Sequence, residues 1–215
     1  YTPASIAPVV AATLAAVVTA RTLGATPYLI AATSSQSLET VDYLLYAILG
    51  LACALVGIAL MRLVSLAEAC VRRTPLPEWA RPIVGGALLI PIALASPHAL
   101  SAGHGALHLT IGGELAIGAL AFIFVLKCLA SVVSLGFGFR GGLFFASLFL
   151  GALLGQILAG LWMLIPGVVS LSPVDAALVG MAALAVAVVG GPMTMSLLVL
   201  EATHEGHFLL DASHA

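Results

Sequence analysis

The sequence predicts an all-α, polytopic membrane protein, and three observations carry that expectation. Of 215 residues, 62% are hydrophobic and only 7% charged. Mean hydropathy is +1.20, and the apolar residues fall into long runs separated by Gly, Pro and polar punctuation. An ordinary soluble domain has about 25% charged residues. Seven Lys or Arg and nine Asp or Glu cannot furnish a hydrated shell for a chain of this length. Lipid is therefore the expected solvent for most of the surface. A formal charge of −2, with no basic stripe and interleaved aromatics, argues against a nucleic-acid partner. Cys53, Cys70 and Cys128 are odd in number, widely spaced and set in apolar runs, which suits small packing residues better than disulfides or zinc ligands.

A spanning helix needs about 20 mostly apolar residues. Residues 4–20, followed by Arg21, form the first and rather short candidate. With no initiator Met and no basic n-region before it, this run reads as a membrane segment and not as a signal peptide. The chain is accordingly expected to be a piece of a longer protein. Residues 22–40 read as a polar loop. A second run covers residues 42–68 or slightly beyond and is stopped by Arg72, Arg73, Thr74, Pro75 and Pro77, since proline cannot continue a helix. The third, residues 81–96, contains Gly85, Gly86 and Pro91, which membrane helices tolerate when neighbours satisfy the loosened backbone. A loop of glycine and histidine follows over residues 101–113.

The fourth run is residues 115–135, interrupted by Lys127, and the fifth is residues 143–165, closed by Pro166. The sixth, residues 174–189, ends at Gly190-Gly191-Pro192. The seventh, residues 193–202, is about half the spanning length and reads as broken or re-entrant. No Ser-rich, charged or low-complexity linker divides these runs, so residues 1–215 are expected to form one transmembrane domain. Arg62, Arg72, Arg73 and Arg81 gather around the second-to-third connection, whereas Glu39 and Asp42 lie in the first-to-second. The positive-inside tendency assigns the former to the cytoplasm.

Two helix starts carry the chemistry. Pro192 opens a helix after two glycines, and Gly141-Gly142 precede Leu143, Phe144 and Phe145. The first amides of a helix have no partner within it. Together with the aligned peptide dipoles they present roughly half a positive charge. Inside a membrane such a terminus holds an anion by partial charges and lets it leave, and interrupted helices near the midplane are a general feature of transport sites. Arg140, beside the first start, is a candidate anion attractant, although an Arg there more often snorkels to headgroups or pairs locally. Lys127 is read the same way.

At these residues a family resemblance appears. Gly141-Gly142-Leu143-Phe144-Phe145-Ala146-Ser147-Leu148-Phe149-Leu150-Gly151 resembles the segment G-G-x-F-x-P-S-L-F-x-G of the CLC family of chloride channels and chloride/proton antiporters. Gly191-Pro192-Met193-Thr194 with Leu198-Val199-Leu200-Glu201 resembles its later A-P-L-T and L-V-x-E stretch, and residues 115–135 resemble the helix before the first motif. The opening Tyr1-Thr2-Pro3 is similar to the point just after the family's first repeat. The resemblance implies the second half of a CLC-type inverted-repeat fold. It also implies chloride, without any cofactor, held by backbone amides at Gly142, Leu143 and Phe144, with Gly141, Phe145 and Arg140 in support. By the same resemblance the protein is a homodimer of multi-pass subunits in the cell (inner) membrane, exchanging protons in some members.

Two departures stand out. Ala146 occupies the place of the family's proline, which removes rigidity from the first turn but no donor, and leaves anion selectivity open. The family's G-S-G-I-P and G-R-E-G-P segments and its last-helix tyrosine have no counterpart here, so this chain is expected to supply part of an anion pathway.

Competing readings are weaker. Gly151 and Gly155 form a small-xxx-small pair of the kind that merely brings helices together. Glu201 suits a buried structural contact better than proton relay. His104 and His108 lie among glycines with no completing carboxylate or Cys, and Thr203-His204-Glu205-Gly206-His207 falls one residue short of H-E-x-x-H. An intramembrane enzyme needs a nucleophile, a metal cluster or paired carboxylates at depth, and no such set is found. A passive assembly subunit leaves the two glycine-opened helices without a purpose.

Overall fold

The computed structural model describes residues 40–97, 116–139, 141, 143–164 and 171–195, together with isolated positions between 12 and 22. Five helices account for most of the described chain: α1 (Thr40–Arg73), α2 (Arg81–Ala95), α3 (Ile117–Gly136), α4 (Leu143–Met163) and α5 (Pro173–Val189). Among the described residues there is no strand, so the all-α expectation holds. The isolated described positions of the first run are helical as well. The loop at residues 101–113, both its histidines, and Glu201 with the rest of the seventh run beyond Met195 lie outside the described residues.

Helices α1, α3 and α4 are each long and apolar enough to cross a membrane. At about 1.5 Å per residue, the 34 residues of α1 extend well past a hydrocarbon core of about 30 Å, so α1 must tilt or protrude. Its surface explains its solvent. Leu45, Leu49, Cys53 and Leu60 are buried against the bundle, while Leu44, Ile48, Leu51, Leu55 and Ile58 form a second, outward stripe that is 46–64% exposed. A helix apolar on both faces belongs in lipid.

The central element is α4: 56% of its apolar window is buried, against 28% for α1 and 22% for α3. One cluster joins it to α1 and α5 through Leu49, Cys53, Leu150 and Leu184. Another joins it to α3 and α5 through Leu120, Phe149, Leu153 and Met181. Glycine sets how closely α4 and α5 approach. A Cβ at Gly151 would collide with the Gly180 carbonyl, and one at Gly155 with that of Ala176. The small-xxx-small pair read from the sequence is thus a backbone-to-backbone crossing.

Helix ends follow the punctuation. α3 closes in a glycine-capped turn: Gly138 takes φ +91°, its N–H donates to Leu135 O, and the Phe139 N–H donates to Ser134 O, each at 3.0 Å. That pair of bonds around a left-handed residue is the Schellman cap. α2 begins after the Pro75–Pro77 stop and keeps Pro91 inside it.

Candidate functional site: two helix starts at one level

The crossing of α4 and α5 fixes where the two glycine-opened starts lie. Gly151 faces Gly180 and Gly155 faces Ala176, so the helices run antiparallel. Eight residues back along α4 from Gly151 is Leu143, and eight residues on along α5 from Gly180 is Val188. The start of α4 and the Gly190-Gly191 break therefore stand at one level. Phe144 and Val186 pack on the same buried cluster as Met195, which lies just past the break.

The depth of that level follows from α1. A Cβ on Gly57 would stand 2.8 Å from the Ala187 Cβ, and Gly57 is midway along the span Tyr43–Arg73. Both helix starts thus lie beside the middle of the longest apolar helix. By contrast, Gly136 abuts Ala67, where a Cβ would come 2.7 Å from the alanine methyl. The end of α3 thus lies toward the C-terminal end of α1, whereas α4 begins at the level of its middle.

At the second start, Gly190 and Gly191 have φ of +82° and +73°, a conformation that only glycine adopts readily. Pro192 then opens the next turn, and the Met195 N–H donates to Gly191 O at 3.1 Å. The early amides of this segment, like those of α4, have no partner inside their own helix. The two sets of helix-start donors thus stand at one level of the bundle, the second at its exposed edge.

Of the residues read as anion contacts, Leu143 is the first of α4 and half-buried, and Phe144 is half-buried with its ring in the core cluster. Phe145 is 42% exposed and meets Phe144 edge to face, centroids 4.9 Å apart. Gly141 is exposed, and its N–H donates to Phe139 O at 3.1 Å, so that amide is engaged within the turn. Gly142 and Arg140 lie outside the described residues.

Two further residues bear on the site. Ser147, fully buried, donates its Oγ–H to Phe144 O at 2.7 Å, clamping the first turn of α4. A hydroxyl four residues past the helix start in an otherwise apolar run was the available signal. Lys127 narrows an expectation: of the readings offered for it, snorkelling to headgroups is set aside by its burial, while local pairing is kept. It is 6% exposed in the middle of α3, with Nζ 5.9 Å from the Phe149 ring centroid. An ammonium over an aromatic face is a recognised favourable contact. No group of three or more His, Cys, Asp or Glu suited to a metal occurs among the described residues.

Comparison with known proteins agrees with this architecture. Residues 1–213 match the family model described as voltage gated chloride channel. A ClcB-like protein of Ralstonia nicotianae is 32% identical over 163 residues, covering 75% of this chain and 38% of that protein. The voltage-gated ClC-type chloride channel ClcB of Salmonella typhimurium is 29% identical over 209 residues, 96% of this chain and 50% of its own length. The H(+)/Cl(−) exchange transporter ClcA of Vibrio campbellii is 27% identical over 215 residues, 98% of this chain and 46% of its own length. The chain spans half or less of the length of these relatives. An all-helical bundle with three helices able to span a membrane, matched almost end to end by one family model, identifies the chain as an integral membrane protein of the voltage-gated chloride channel (CLC) family.

Proposed function

We propose that this chain forms one half of a chloride-transport domain and contributes a backbone-amide anion site at the start of α4. The observation that carries the reading is the presence of two glycine-opened helix starts at one level beside the middle of α1. Their unpaired amides bind an anion without a full cation, which favours passage over retention. The donors are the amides around Gly142, Leu143 and Phe144, with Phe145 and Arg140 flanking. In this reading the protein is a transporter and no enzyme, needs no cofactor, works as a homodimer in the cell (inner) membrane and places the α1–α2 turn in the cytoplasm.

The relatives include one named as a channel and one named as a proton exchanger, so the test has two arms. The full-length protein is reconstituted in liposomes, and chloride flux is followed under a voltage and under a proton gradient. Flux under voltage alone marks a channel, and flux coupled to proton movement marks an exchanger. No flux in either arm overturns the proposal. Gly142→Val tests the site itself: a β-branched residue restricts the backbone beside the donors, so halide affinity falls. Unchanged affinity removes Gly142 from the site.

A further inference from the structure

We infer that the cavity between the C-terminal end of α1, the α1–α2 turn and the α3–α4 turn holds the headgroup of an aminophospholipid, phosphate on Arg81 and ammonium on Glu78 and Glu68. The cavity measures about 810 Å³ and is walled by those three residues and by Phe137, Phe139 and Gly141. That volume lies in the range of small-ligand sites.

Three observations specify the occupant. First, the charges are mixed. Among the described residues, two carboxylates and one guanidinium face the same space, an arrangement that complements a zwitterion whose ammonium and phosphate are a few bonds apart. Glu68 is held only loosely by Arg72, at 3.8 Å with both side chains more than half exposed, so its carboxylate retains most of its capacity. Secondly, Arg81 lines the cavity at the N-terminal end of α2, and a guanidinium offers a phosphate the two-pronged donor fork that Arg favours.

Thirdly, the cavity is where headgroups are. It opens among the C-terminal end of α1, the N-terminal end of α2 and the C-terminal end of α3, the side on which Arg72 and Arg73 also gather. Trp79 on the connecting turn is 74% exposed, as an interfacial anchor is. The inference stands on the α1–α2 end and does not depend on chloride transport.

The test uses the full-length protein and counts retained lipid by native mass spectrometry after exposure to phosphatidylethanolamine, phosphatidylcholine or phosphatidylglycerol. Phosphatidylethanolamine is retained best, because its primary ammonium makes a charge-assisted hydrogen bond to Glu78, whereas the trimethylated ammonium has no N–H and the glycerol headgroup offers only neutral hydroxyls. Glu78→Gln removes this preference and leaves phosphatidylglycerol retention unchanged. Arg81→Gln weakens retention of every phospholipid by about tenfold, the loss of roughly one charge-assisted hydrogen bond. Equal retention of the three lipids, or wild-type retention in Arg81→Gln, overturns the assignment. Soluble glycerophosphoethanolamine is included as competitor. Failure to displace the lipid supports a membrane occupant, and displacement at equal concentration overturns it in favour of a free headgroup. Because Glu78 is exposed, Glu78→Gln keeps the test decisive even where Arg81→Gln lowers the yield of folded protein.

Discussion

Replacing Gly155 by Ala adds one methyl group at the tightest point of the α4–α5 crossing. The new Cβ would stand 2.5 Å from the Ala176 carbonyl carbon and 2.9 Å from the Ala177 nitrogen, against 3.4 Å for ordinary contact. The obstructing atoms are backbone on both counts, so no rotamer change relieves them. The helices must part by about 0.5–1 Å, and overpacking of this kind costs about 1–3 kcal/mol. For the intact protein this lowers the thermal unfolding midpoint by on the order of 5 °C, read from the soluble folded fraction after heating in detergent. Chloride flux falls as well, because the same crossing holds the start of α4 level with the Gly190-Gly191 break. The control is Gly50→Ala in α1, where an added Cβ meets nothing within 4 Å. There the lower backbone entropy of Ala is neutral or stabilises by about 0.5–1 kcal/mol. Gly155→Ala as stable as wild type, or Gly50→Ala equally damaging, refutes the reasoning.

Lys127→Met keeps the volume of the side chain and removes its charge from within roughly 10 Å of the α4 start, two turns along the helix. At an effective dielectric near 20 this lowers anion affinity by about 1–2 kcal/mol, roughly tenfold, measured by halide titration calorimetry; unaltered affinity assigns Lys127 a structural role. Gly138→Ala places a side chain at φ +91° and costs about 1–2 kcal/mol, seen as a lower unfolding midpoint. Ala146→Pro restores the residue that the family resemblance implies. It leaves stability within about 1 kcal/mol and alters the relative flux of chloride and nitrate, whereas an unchanged ratio shows that this position does not govern selectivity.

Much of the secondary structure was legible because the punctuation is strong. Pro75 and Pro77 end α1, Gly136 to Gly142 separate α3 from α4, and Gly190-Gly191-Pro192 ends α5, each within a few residues of the expected position. The glycine cap at Gly138 was missed, though a glycine two residues past the last helical turn is a signal for it. The candidate site was legible as a local feature, a glycine step before an apolar helix. Its partner start was legible too, but not the fact that the two stand at one level.

The sequence by itself determined the solvent, the helices and the family, because composition, run length and ordered motifs are local properties that survive without any packing. Tertiary structure decided which faces touch. Helices apolar on all sides carry no stripe to say which side turns inward, so the burial of Leu49 and the exposure of Ile48 on α1 could not be read from their identities. The glycine contacts at Gly151, Gly155 and Gly180 set the register of α4 on α5. That register is what brings Leu143 level with the Gly190 break, while the packing of α3 on α4 sets Lys127 over Phe149. Helix-start dipoles act only over the first turn or so, and a difference of a few residues in that register would carry one set of donors beyond reach of the other.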